Sequence, residues 1–84
     1  MQLQVYTDPG HGWVKVKKEL LVKLGIETKI SRYSYQRGEF AYLEEDCDAG
    51  LLINALKEHS INYSFKTNNS NKSSKIRNYY PYQA

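Results

Sequence analysis

Apolar and polar residues alternate through Gln2-Leu3-Gln4-Val5-Tyr6-Thr7, the two-residue period of a strand with one face turned inward. Asp8-Pro9-Gly10-His11-Gly12 then gathers turn formers: proline presets φ, glycine permits positive φ, and Asp8 can hydrogen-bond the backbone ahead of it. Trp13, Val14 and Val16 resume the apolar pattern, so two strands joined by a loop are predicted. From Lys17 to Leu24 the period changes. Leu20, Leu21 and Leu24 fall on one stripe of a helix of about two turns, too short to stand without a core. Gly25-Ile26 reads as its stop, with glycine in the left-handed position and Ile26 folded back on the last turn.

Lys29–Gln36 and Glu39–Glu44, rich in Ile, Tyr and Phe, flank Gln36-Arg37-Gly38 and predict a hairpin. On the return strand Phe40 and Tyr42 share one face and Ala41 and Leu43 the other. On the outgoing strand Tyr33 and Tyr35 oppose Ile30, Arg32 and Ser34. Both strands carry apolar mass on two faces, one for the helices and one for solvent or a partner. Glu44-Glu45-Asp46-Cys47-Asp48, with charge −4, precedes a helix striped by Leu51, Leu52, Ala55 and Leu56 and ending near His59. Asp46 or Asp48 suits its N-cap. Ile61, Tyr63 and Phe65 alternate with polar residues as a last strand. The order ββαββαβ predicts an α+β two-layer sandwich over residues 1–67, a mainly antiparallel sheet with two short helices on one face. Its expected core is Leu3, Val5, Val16, Leu20, Leu24, Ile30, Leu43, Leu52, Leu56 and Phe65. Residues 68–84 form a polar, basic tail that is disordered or docks by its aromatic end.

Eighty-four residues allow one domain, and no run approaches a membrane span. MQLQVYTDPGHG lacks the basic start and apolar run of a secretory signal, which points to a small soluble cytoplasmic protein. The net charge of +3 is unevenly spread. Residues 1–58 hold eight basic and nine acidic residues, whereas residues 59–84 hold Lys66, Lys72, Lys75 and Arg77 and no acid. Basic character therefore belongs to the C-terminal third.

Candidate chemistry is sparse. Asp8-Pro9-Gly10-His11-Gly12 resembles the stretch that supplies the first histidine ligand in zinc-dependent N-acetylmuramoyl-L-alanine amidases. A zinc site also needs a further acid and a second histidine, for which only His59 is on offer. The competing reading is a plain turn. The acidic run lacks the spacing of a calcium loop, and helix capping with solvated surface accounts for it. A basic protein partner is the other reading. Cys47, the one cysteine, excludes a disulfide framework and a thiolate zinc site, and its acidic neighbours disfavour the thiolate. No Ser-His-Asp order or phosphate-cradling glycine loop can be assembled, so neither an enzyme nor a cofactor or metal site is expected.

Eight tyrosines are the richer signal. Tyr33, Tyr35, Arg37 and Tyr42 on the hairpin, with Glu44, Glu45 and Asp46 beside them, are the residue types that concentrate binding energy at protein interfaces. The same rings with Arg32, Arg37 or Lys29 suit single-stranded nucleic acid. Lys72, Lys75, Arg77, Tyr79, Tyr80 and Tyr82 interleave charge and rings in the tail and are candidate contacts for nucleic acid or a partner, unless the tail packs back on its own domain.

Taken together, TDPGHGWVKV, ELLVKLGI, KISRYSYQRGEFAYLEEDCD and NKSSKIRNYYPY resemble a family of small uncharacterised proteins of tailed bacteriophages, over nearly the whole chain. Lys17 departs from the pattern, which leads one to expect proline at the first helix start. The resemblance implies a phage accessory protein in the host cytoplasm that binds and inhibits a host protein or protein–nucleic acid complex, of the anti-CRISPR or anti-restriction type. A small nucleic-acid-binding protein is the alternative, and a zinc-dependent hydrolase the lesser one. Monomer and homodimer are both compatible with a spare sheet face or edge.

Overall fold

A computed structural model describes residues 1–84. The chain is α+β: β1 (Gln2–Thr7), β2 (Gly12–Lys17), α1 (Lys18–Lys23), β3 (Tyr35–Arg37), β4 (Phe40–Glu44), α2 (Ala49–Glu58), β5 (Ser64–Asn69), a 3₁₀ turn at Lys75–Asn78, and β6 (Tyr80–Pro81). All six strands form one sheet in the order β5-β1-β2-β4-β3-β6. Pairing is antiparallel except between β1 and β5, which run parallel.

Strand alternation divides the residues cleanly. Leu3, Val14, Val16, Ala41 and Leu43 join Leu21 of α1 and Leu52, Ala55 and Leu56 of α2 in the main core. The intervening positions, Trp13, Tyr42 and their neighbours, belong to a separate smaller cluster. Val5 and Leu20 pack on the main core half-buried, and Phe65 lies largely exposed on the edge strand β5.

Helix α1 ends as its sequence predicts. Gly25 adopts φ of +71°, its N–H reaching Val22 O at 3.0 Å while the Ile26 N–H reaches Leu21 O at 3.0 Å. That pair of bonds is a Schellman motif with Ile26 buried in the core. α2 closes the same way without a glycine. Ser60, at φ of +56°, donates to Lys57 O, and Ile61 donates to Leu56 O at 2.9 Å. A Cβ in the left-handed region carries a steric penalty. Ser60→Gly is therefore expected to stabilise the protein by about 0.5 kcal/mol, with a rise of roughly 2–4 °C in Tm by thermal melt. Ser60→Val should instead lower Tm, because a β-branched side chain at that φ is a stronger clash.

Two regions depart from expectation. Lys29–Ser34 is a succession of turns rather than a strand, so β3 keeps only Tyr35–Arg37. Asp48 stands at the N-cap of α2, but its side chain makes no cap bond. It turns instead to Ser31 and Ser34, accepting from Ser31 N at 3.1 Å, from Ser31 Oγ at 2.7 Å and from Ser34 Oγ. Those bonds bend residues 31–34 over the start of α2 and prevent an extended strand.

The second departure is the boundary expected at residue 67: β5 runs on to Asn69, and of the two courses open to the C-terminal stretch it takes the packed one, folding over the sheet face that the helices leave open. Ile76 is buried against Trp13 and Tyr42, with Tyr79 packed beside them. Tyr82 passes the sheet edge into the main core, 3% exposed, and donates its hydroxyl to Glu27 O at 2.7 Å.

Candidate functional site

The face opposite the helices carries the chemistry-bearing residues, and the β1–β2 turn anchors what crosses it. In that turn Asp8 accepts from the N–H groups of Gly10 at 3.0 Å and His11 at 2.9 Å, the local bonding its sequence predicts. The same carboxylate also accepts from Ser74 N at 2.9 Å and from Arg77 Nε and Nη2 at 2.7 and 2.8 Å. This strap of residues 74–79 is thus latched to a turn at the far end of the chain. Gly10 makes room for the latch, since a Cβ there would stand 2.9 Å from Arg77 Nη2. The Arg77 guanidinium, then the Ser74 N–H, hold the Asp8 carboxyl far below the ordinary carboxylate range. Asp8 in turn raises the Arg77 guanidinium, chiefly through its hydrogen bonds.

Ile76 and Tyr79 of the strap line one depression and Arg77 another. On one side lies a notch of about 280 Å³ lined by His11, Trp13, Tyr33, Tyr35, Glu44 and Asp46, together with Cys47 and Arg77. Tyr33, 74% exposed, forms its outer wall. Arg77 lies 5.5 Å over the Trp13 ring, and Tyr35 meets Trp13 edge-on at 6.3 Å. The Trp13 indole N–H is buried and finds no acceptor within the chain. Glu44 is buried at the floor, with its carboxylate accepting from Asp46 N and Cys47 N at 2.9 Å and meeting His11 Nδ1 at 3.2 Å. Burial opposes its ionisation, but bonds from the Cys47 thiol, the His11 ring and the two N–H groups outweigh this and set its carboxyl below the usual range. The Cys47 thiol is pushed up by its bond to Glu44 and then by burial. That direction matches the expectation from its acidic neighbours.

On the other side lies a groove of about 520 Å³ bounded by Tyr6, Lys15, Arg37, Phe40, Lys75 and Tyr79. Lys15 Nζ sits 4.2 Å from the Phe40 ring centroid and Arg37 Cζ 5.2 Å from that of Tyr79.

Of the hairpin residues singled out by sequence, Tyr33, Tyr35, Glu44 and Asp46 come together in the notch. Arg37 stands in the groove instead. Glu45 is exposed beside the notch. Tyr42 is 7% exposed, buried under Ile76 and Tyr79, so it is a core residue and not a contact. In the C-terminal set, Tyr82 is likewise withdrawn into the core, and Arg77 is committed to Asp8. Tyr79 is half-buried on Tyr42, leaving Lys72, Lys75 and Tyr80 exposed. Trp13, Tyr6 and Lys15 are site residues that the sequence pattern did not single out, and His11, read there as a candidate zinc ligand, instead meets Glu44 in the notch. The signal available was the odd–even alternation that puts Trp13 and Lys15 on the tyrosine face.

A set of potential ligand atoms within 4.8 Å of one another is found at Glu44, Glu45 and Asp46. It includes no histidine, and His59 caps α2. These residues do not fit the histidine-based zinc set that the amidase resemblance implies. No helix is long and apolar enough to cross a membrane. Comparison with protein-family models, curated proteins and solved structures finds no match for this chain.

Proposed function

We propose that the protein is a non-catalytic binding protein that takes a basic surface of a partner protein into the notch. The observation that carries this reading is the convergence of Tyr33 and Tyr35 with Glu44 and Asp46 in one concavity. Two tyrosines offer flat apolar area at low entropic cost, and the carboxylates select a cationic side chain between them. Glu45 and Asp46 are exposed and enter no ion pair within the chain, so their charge is free for a partner. In the setting that the tailed-phage resemblance implies, the partner is a host protein bound in the cytoplasm. The effect is inhibition of the anti-CRISPR or anti-restriction type, by covering a basic, nucleic-acid-facing surface.

The test compares capture from host lysate by the wild type and by Tyr33→Ala/Asp46→Lys. Both positions are exposed, so the variant should fold. The expected result is one stoichiometric partner whose affinity falls at least about tenfold in the variant and whose activity the wild type inhibits. Equal capture by both proteins, or a captured partner whose activity is unaffected, would overturn the reading.

A further inference from the structure

The groove on the other side of the strap has a different chemistry. It joins a second depression of about 410 Å³, lined by Gln2, Gln4, Lys15, Lys17 and Phe40 among others, and the two share Lys15 and Phe40. Four cations line this joint surface: Lys15, Lys17, Arg37 and Lys75. Glu39 is the one carboxylate among its lining residues. Four against one leaves +3, as large as the net charge of the whole chain. None of the four cations is ion-paired, since the ion pairs of the chain are Arg77–Asp8, His11–Glu44 and Lys23–Glu19. Two of them rest on aromatic rings instead, Lys15 on Phe40 and Arg37 on Tyr79.

Strand register arranges these groups in order. Lys17 of β2 pairs with Phe40 of β4, and Phe40 pairs with Arg37 of β3. The three therefore lie in one row across the sheet, with neighbouring strands about 4.8 Å apart and a cation on each side of a flat ring. The adjacent row contains Lys66, Gln4 and Lys15, again by direct pairing. A ring flanked by two unpaired cations matches a stacked base with a phosphate on either side of it. Exposed rings on a sheet, bordered by cations that follow a backbone, are the means by which single strands are held without sequence selection. A duplex hides its base faces and would gain only the charge.

We propose that this groove is a binding site for single-stranded nucleic acid, with the half-buried Phe40 ring as the stacking platform once Lys15, which rests 4.2 Å from its centroid, swings off it onto a phosphate, and with Lys17, Arg37 and Lys75 on further phosphates. Polar amides from Gln4 and the Tyr6 hydroxyl border the path and supply hydrogen-bond partners for bases or sugars. This site shares no groove residue with the notch, so it stands or falls apart from the partner-protein reading.

Fluorescence anisotropy with labelled oligo-dU and oligo-rU of roughly 12 nucleotides tests it, at about 50 and 200 mM salt. With three to four phosphates neutralised, affinity should fall roughly 20- to 50-fold over that range. Lys17→Gln/Arg37→Gln should lower the slope of log affinity against log salt by about 1.4. Phe40→Leu keeps apolar volume but loses the flat ring, and should cost about tenfold with little change in slope. Circular dichroism melts confirm that each variant is folded. A difference between the two oligonucleotides identifies the sugar preferred and supports the site. No binding at the lower salt, equal binding of duplex or of polyglutamate, or wild-type affinity in the double variant would overturn it.

Discussion

Asp48→Ala is expected to cost about 3 kcal/mol, a fall in Tm of roughly 12–20 °C for a chain of this size. Asp48 is 2% exposed, and its carboxylate is the end point of two converging relays. The Tyr33 N–H donates to Ser31 Oγ at 3.2 Å, and Ser31 Oγ donates to Asp48. The Glu44 N–H donates to Ser34 Oγ at 2.9 Å, and Ser34 Oγ donates to the same carboxylate oxygen. Removing the carboxylate strands three donors, the two hydroxyls and the Ser31 N–H, each at about 1 kcal/mol. It also frees the turns that aim Tyr33 at the notch. Guanidinium denaturation of Asp48→Ala, Ser34→Ala and the double variant checks the network. The double variant should cost less than the sum of the singles, because Ser34 and Asp48 share one bond. Strict additivity, or a loss under about 1 kcal/mol for Asp48→Ala, would mean that the relay contributes little.

Elements whose signals are local were legible in the sequence. The left-handed Gly25 and the returning Ile26 end α1 where the pattern places them. Phe40 and Tyr42 part from Ala41 and Leu43 across β4 as strand alternation requires. The failures lie where a distant group decides. Lys29–Ser34 has strand composition, yet Ser31 and Ser34 are bent by Asp48, 17 and 14 residues away. The acidic run looked like helix capping, but its charges do different work: Glu44 organises the 45–47 turn, Asp48 the 31–34 turn, and Glu45 and Asp46 stay exposed.

Composition leaves the course of the C-terminal stretch open for a related reason. Polar residues at 68–74 suit a free tail, while the residues that hold it in place, Ile76, Tyr79 and Tyr82, are few and widely spaced. A physical clue was nonetheless available. A sheet with rings on both faces needs two covers, and two short helices supply one. The only apolar residues left over are those after Ser74. The candidate site was half legible in consequence. Clustered tyrosines and acids marked the notch, while the strap that separates it from the groove depends on a contact between residues 8 and 77.

That contact sets the second large effect. Asp8→Asn is expected to lower Tm at pH 7 by roughly 10 °C and to shift Trp13 fluorescence to the red as Ile76 and the strap leave the ring. The chain has one tryptophan, buried beneath the strap, so emission reports this face alone. Acid should reproduce the change in the wild type. Asp8 is held below its unfolded value, chiefly by Arg77 and then by the Ser74 N–H. A depressed carboxyl contributes stability that is fully present above the unfolded pKa, near 3.9, and is lost as pH falls beneath it. Glu44, also depressed, adds to the loss in the same direction. Asparagine at position 8 has no proton to gain, so the Tm gap between wild type and Asp8→Asn should narrow steadily from about pH 5 to about pH 2. Thermal melts and emission spectra of both proteins across that range decide the matter. A gap that stays constant with pH would place the effect in the local turn bonds to Gly10 and His11 and not in the charge on Arg77. A narrowing gap with a matching red shift would tie the strap to the ionised carboxylate, making a single ion pair the closure of the face on which both the notch and the groove depend.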